Sequence, residues 1–289
     1  MSTVFLPTPM ASARRGVFAA MRDLPAELRR RQPHLATAAL LCLFAIVPCL
    51  IALGLDPRTV NGLNVWVKPS KFLVSFTVYY GTLAWVFGYL PRAVQESRAG
   101  RFVIWGALGA GFLEMVWLTL AAANGVPAHF NSASRAWMLA YQLAGVGSVI
   151  LITAILVQGI MLACVRELRI APALRTALVL GAVVAFTATL ITAGFMASGA
   201  GHWVGGVKND AAGLALMGWS RTGGDLRVAH FWALHAQQFI PLAGLLSVAA
   251  GRPRAHSAVV LASIGCVALI AFTFVQALRG EPFLAFFGQ

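Results

Sequence analysis

Long apolar runs separated by short polar stretches fill the chain from about residue 35 onward. Seven of these runs reach the roughly 18 residues that a helix needs to cross hydrocarbon. They fall at about 35–54, 70–90, 102–124, 137–165, 173–199, 228–250 and 256–279. The pattern predicts an all-α membrane protein, a bundle of about seven transmembrane helices. It divides the chain into a tail with a short interfacial helix (1–34), the helical domain (35–280) and an outer tail (281–289). The first 34 residues lack an apolar core and a small-residue cleavage site, so no cleaved signal peptide is expected there.

Composition agrees with a bilayer as solvent. The chain is 59% hydrophobic and 11% charged, against about 25% charged for ordinary globular domains. The net charge of +13 would suit nucleic acid, but the basic residues sit in short loops between apolar runs and form no basic stripe. Topogenic charge and attraction to anionic lipid account for it without a nucleic-acid partner.

Counting Lys and Arg by side sets the expected orientation. With the N-terminus in the cytoplasm and the C-terminus outside, inner segments hold 14 and outer segments 8. The inner set is Arg14, Arg15, Arg22, Arg29, Arg30, Arg31, Arg92, Arg98, Arg101, Arg166, Arg169, Arg175, Arg252 and Arg254. Trp66, Trp137, Trp203, Trp219 and Trp232 then fall near outer ends, as an interfacial aromatic belt would. The expected location is the inner membrane of a bacterium. The tail's basic helix, with Leu24 and Leu28 on one side, is expected on the anionic inner leaflet.

Small residues show which faces turn inward. Gly181, Ala185, Thr189, Ala193 and Ala197 recur every fourth residue, and Ala107, Ala110, Gly111 and Ala121 form a second such face. These stripes are packing surfaces. Glu114 lies on the second of them, in mid-span, where an ionised carboxylate facing lipid would be costly. It reads as a proton carrier, cation ligand or partner of a buried base; its plainer role is one hydrogen bond between helices.

The remaining polar signals gather at the expected outer side. Lys68 and Lys71 enter the second span, with Ser75, Tyr79 and Thr82 continuing a polar stripe from Lys71. Lys71 either binds an anion or snorkels to the interface. His129 and Asn131 flank a turn between spans three and four, where Asn131 has an ordinary turn role available. His202 opens a loop of about 27 residues, in which 209–219 reads as a short apolar helix. Asp225, Arg227, His230, His235, Gln237 and Gln238 lead into span six, Asp225 as a helix N-cap. His230 and His235 are about 7.5 Å apart along a helix and about 140° around it, so they do not chelate one metal as an i,i+4 pair does. Pro241 frees the carbonyl of Gln237 within the span.

Three functions suit these residues. The first is an outward-facing pocket for a small ligand or cofactor, with haem or a transition metal on His129, His230 or His235. The second is proton-coupled transport or sensing of a small solute through Glu114 and His235. The third is an intramembrane enzyme acting on a lipid or quinone, with Lys71 or Arg227 holding an anionic group. No catalytic signature of a known type supports the third. Cys42, Cys49, Cys164 and Cys266 lie in apolar runs and form no CxxC pair, which points to packing. The phrases Trp66-Val-Lys68-Pro-Ser-Lys71-Phe, Gly125-Val-Pro-Ala-His129-Phe-Asn131 and Gly224-Asp-Leu-Arg227-Val-Ala-His230-Phe resemble a bacterial family of multi-pass inner-membrane proteins. That resemblance implies a membrane bundle and brings no activity with it.

Overall fold

The computed structural model describes residues 17–131, 133–199, 201–251 and 253–283. Arg14 and Arg15 of the basic tail, Arg252 and most of the outer tail lie outside the described residues. The chain is mostly helical, and six of the seven apolar runs become continuous helix within a few residues of their expected bounds.

A short basic helix, α1 (Val17–Arg31), turns at Gln32 into α2 (Pro33–Leu55). The Gln32 side chain accepts the amides of His34 and Leu35, and Pro33 occupies the first turn, where no amide partner is needed. α1 packs against α2 and against α3 (Val67–Phe87). Its last residue, Arg31, donates to the carbonyl of Trp85 at 2.8 Å and lies 4.9 Å from the Tyr89 ring. Arg29 and Arg30 remain exposed.

Two single-turn helices, α4 (Arg92–Gln95) and α5 (Arg98–Arg101), lead into a π-helical turn, Phe102–Gly106, and then α6 (Ala107–Ala123). α7 (Arg135–Cys164) starts at the Ser134 cap and runs 30 residues, about 45 Å. α8 (Pro172–Ser198) returns beside it. The sixth apolar run is not one helix. It breaks at His235 (φ −88°, ψ 4°) into α9 (Leu226–Leu234) and α10 (Ala236–Ala249), with Pro241 inside the second piece. α11 (Ala255–Leu278) follows.

Among the described residues, five stretches are long and apolar enough to cross a membrane: α2, the continuous Arg98–Ala123, α7, α8 and α11. The other two expected spans differ for visible reasons. α3 carries two lysines and a run of hydroxyl side chains, and α9 and α10 are each short. Large apolar side chains such as Leu41, Phe44, Phe112, Leu113, Leu261 and Ile264 point outward, as a lipid-facing surface requires.

Close packing follows the small-residue stripes. A Cβ on Gly244 would come within 2.6 Å of Ala177, and one on Gly159 within 2.5 Å of Ala182. Gly181, Ala185 and Thr189 are buried, whereas Ala197 is exposed, so the α8 stripe is used only over its first part. The α6 stripe is buried from Ala107 to Ala121. Gly111 there accommodates Tyr80, whose hydroxyl donates to the Ala107 carbonyl at 3.1 Å.

The expected outer side is capped by loops. β1 (Thr59–Val60) and β2 (Leu63–Asn64) form a hairpin around Asn61-Gly62, both at positive φ, the geometry such a two-residue turn needs. β3 (Trp203–Val204) pairs with β4 (Gly224–Asp225). Between them, residues 209–219 are a series of turns and not the apolar helix expected from their composition. Gly213 and Gly218 come too close for a Cβ, and the Leu214 and Trp219 backbones bond at 2.8 Å, so the segment doubles back on itself.

Candidate functional site

Glu114 is buried by the small-residue face it shares, with 2% of its surface exposed. Neither of its carboxylate oxygens has a hydrogen-bond partner among the described residues. Such a group in a native interior calls for an explanation, because leaving it unpaired forfeits its hydration. His129 reaches toward it from the loop between α6 and α7, with Nε2 3.6 Å from Oε1. The other ring nitrogen, Nδ1, contacts the Lys68 ammonium in a hydrogen bond. An ammonium only donates, so Nδ1 accepts and the hydrogen of a neutral ring lies on Nε2, facing Glu114. Burial pushes the His129 imidazole below its ordinary pKa, Lys68 adds to the shift, and Glu114 opposes it. The order is amine, imidazole, carboxylate. Phe72 and Tyr141 flank the His129 ring at 6.3 and 5.7 Å between centroids.

Arg227 organises the second group, at the start of α9. Its Nη2 lies 2.7 Å from Asp210 and 2.6 Å from Asp225, and Nε lies 2.9 Å from Asp225. It also donates to the Gly218 carbonyl at 2.8 Å, while Lys71 donates to Met217 at 2.9 Å. Two cations therefore hold the turns of 209–219 down over the bundle. The Asp210 amide bonds to the Asn61 carbonyl, tying those turns to the β1–β2 hairpin. Asp225 caps α9 by accepting the Arg227 amide at 3.1 Å, and it also accepts the Ser220 amide at 2.9 Å. Burial alone would raise the pKa of Asp210, but its contacts with His202 and Arg227 outweigh that and hold the carboxyl below the usual carboxylate range.

A third set lies deeper. His230 Nδ1 is 3.2 Å from the Thr192 hydroxyl of α8. His235 Nδ1 is 3.2 Å from Gln238 Oε1, and the Gln238 amide donates to the Thr82 hydroxyl of α3 at 3.3 Å. Gln158 donates across to the Leu83 carbonyl at 3.0 Å.

Of the candidate residues, Lys68, Glu114 and His129 come together as one group. Asp225 and Arg227 form another, with Lys71 alongside. His235 and Gln238 pair as expected for residues on one helix face. Asn131 does turn work, donating to Pro127 at 3.0 Å and accepting the Ala133 amide. As candidate metal ligands, His129, His230 and His235 do not converge, since each ring engages a different partner. Among the described residues no group of three or more His, Cys, Asp or Glu side chains is arranged to hold a metal ion.

Sequence reasoning missed Asp210 and Thr192. Asp210 lies 17 positions from the Arg227 it binds, in a segment that looks apolar, so only the long loop itself hinted at it. Thr192 is one hydroxyl among several on α8. Further orphaned donors, the Trp203 and Trp232 indoles and the Thr189 hydroxyl, are buried without hydrogen-bond partners among the described residues. Against models of protein families, curated proteins and solved structures, the chain shows no significant match.

Proposed function

We propose that this chain is a seven-span protein of the bacterial inner membrane that exchanges protons with the outer side through Glu114 and His129. The exchange is coupled to binding of a small polar solute at the same outer end. The N-terminus is inside and the C-terminus outside, a reading supported by the excess of basic residues in the segments this places inside. α3 and the α9–α10 pair serve as the two remaining spans. Several of their polar side chains meet other helices or the loops over the bundle, as Thr82 meets Gln238, His230 meets Thr192 and Lys68 meets His129, and a bilayer tolerates polar groups in such places. The exposed Arg29 and Arg30 of α1 suit the anionic inner leaflet.

One observation carries the reading: a buried carboxylate without a hydrogen-bond partner stands beside an imidazole whose other face meets an ammonium. Glu114 has two ways to relieve that cost, to bind a proton or to bind a cationic group. His129 can deliver the proton from Nε2 as the Lys68 ammonium passes one to Nδ1, which leaves a neutral ring between a neutral amine and a neutral carboxyl. Trp203, Trp232 and Thr189 would supply donors to an acceptor-bearing solute. His129, His230 and His235 act here as proton-binding rings; their separate partners give no support to haem or metal ligation.

The test is infrared difference spectroscopy of the protein in lipid, comparing acid with alkaline buffer. Wild type should show a carboxyl carbonyl band that is missing from Glu114→Gln. Identical difference spectra for the two proteins would overturn the assignment.

A further inference from the structure

Glu114 lies one helical turn from Gly111 and one from Trp117, so the three share the buried face of α6. α3 meets that helix with rings. Phe72, Phe76 and Tyr80 follow at four-residue spacing, with 6.3 Å between the first two centroids and 5.5 Å between the last two. A Cβ on Gly111 would stand 3.1 Å from the Phe76 ring, which sets that ring against the turn preceding Glu114. On the following turn, Trp117 donates to the Ala128 carbonyl at 2.9 Å and so holds the loop that carries His129. Phe72 and Tyr141 pack into the same cluster as Trp117. Aromatic side chains at helical spacing are ordinary packing. A buried carboxylate with two unpaired oxygens in their midst is not.

The contact nearest to Glu114 is loose. His129 Nε2 stops 3.6 Å from Oε1, beyond hydrogen-bond length. The Lys68 ammonium is engaged at the other ring nitrogen. The loop that presents the ring is strained at its next residue, since Phe130 has φ 58°, a conformation that bulky side chains rarely adopt. A long contact on a strained loop gives way to a better partner. An ammonium group is such a partner: it has three N–H donors for two carboxylate oxygens, the opposite charge, and an affinity for aromatic faces.

We propose that the solute of the outer site is an organic ammonium ion, held by Glu114 among the rings of α3, and that it competes with the proton for the same carboxylate. The proposal rests on the Glu114 reading and adds to it the origin of the coupling. As the cation enters and His129 moves aside, the carboxyl O–H bond breaks and the proton leaves toward the outer solution. The carboxylate then accepts hydrogen bonds from the ammonium. Release of the solute reverses the exchange, and no other bond changes. One negative charge serves one positive charge at a time, and that ties the solute to the proton. The other titratable groups around Glu114 are His129 from the loop, Lys68 and Tyr80 from α3, and Tyr141 from α7.

The test titrates the Glu114 infrared band with pH, using the full chain in neutral detergent. Benzylammonium chloride is the probe, and sodium chloride at equal ionic strength is the control. Benzylammonium should lower the pH at which the band is half developed. Once the site is filled, each tenfold rise in its concentration should move that midpoint by about one unit, as competition for one group requires. Sodium should move it little. Phe72→Leu keeps apolar bulk but loses the ring, and should need about fivefold more benzylammonium for the same displacement. A midpoint that ignores benzylammonium overturns the ammonium site and leaves the Glu114 proton standing. An equal shift with sodium overturns the organic cation, and an equal response of Phe72→Leu and wild type overturns the role of the rings. Absence of the band from wild type removes both readings.

Discussion

Arginine does different work at the two ends of this bundle. At the expected inner end, Arg175 donates to the carbonyls of Leu162 at 3.0 Å, Ala163 at 2.9 Å and Val165 at 2.7 Å. It closes the last turn of α7, where backbone oxygens have no helical donor. Arg31 does the same for Trp85 in α3. At the outer end, Arg227 spends most of its donors on two carboxylates, Asp210 and Asp225. Arg58 is intermediate, bonding Asp56 and the Ala123 carbonyl that ends α6. A guanidinium on a helix end satisfies an uncharged acceptor and keeps its net positive charge. A guanidinium between two acids leaves little net charge and fixes a loop. At one end arginine thus closes helix termini, and at the other it holds a cover over buried polar groups.

That contrast can be broken first at Arg227. Arg227→Ala strands two buried carboxylates, and removal of one partner from such a network costs about 3–5 kcal/mol. Thermal unfolding in detergent should fall sharply, with the loop between β3 and β4 becoming open to protease. Unchanged protection of that loop would show that the ionic clasp does not hold it. At the inner end, Arg175→Ala should cost less, about 1–3 kcal/mol for lost charge-assisted bonds, and should leave the outer loop protected. If it exposed the outer loop as strongly as Arg227→Ala does, the two ends would not be separable. The smallest effect is that of acid. Asp210 has a lowered pKa, so its stabilising share is complete above the ordinary carboxylate value and fades as pH falls through the lowered one. Protease protection of the loop should weaken over that acid range, and protection that is flat with pH would remove Asp210 from the clasp.

Much of the helical frame was legible because apolar runs of span length have few soluble alternatives. The small-residue face of α6 likewise marked Glu114 as inward, since a carboxylate among Ala and Gly has nowhere else to go. His129 was legible as unusual, but its position between Lys68 and Glu114 depends on a loop folding back, which no periodicity records. The break at His235 was hidden for a related reason: the hydrophobic run continues through it, and Pro241 drew attention to a point further along. Residues 209–219 were misread because Leu214, Leu216 and Met217 mimic a helix face, while Gly213 and Gly218 impose the turns. The Arg227–Asp210 pair was invisible, being a tertiary contact between a loop and the first turn of α9.

The contact of Gly224 with the last turn of α11 has a practical meaning for handling the protein. A Cβ at Gly224 would stand 1.9 Å from the Ala277 carbonyl, so cover and final helix touch backbone to backbone. Trp219 also meets Phe283 edge-on at 5.5 Å, and Gln276 holds the Pro282 carbonyl at 3.2 Å. A bulky fusion or immobilisation at the C-terminus would thus pull on the cover itself. Attachment at the N-terminus would instead load α1, which packs on α2 and near the last turn of α3, away from the cover.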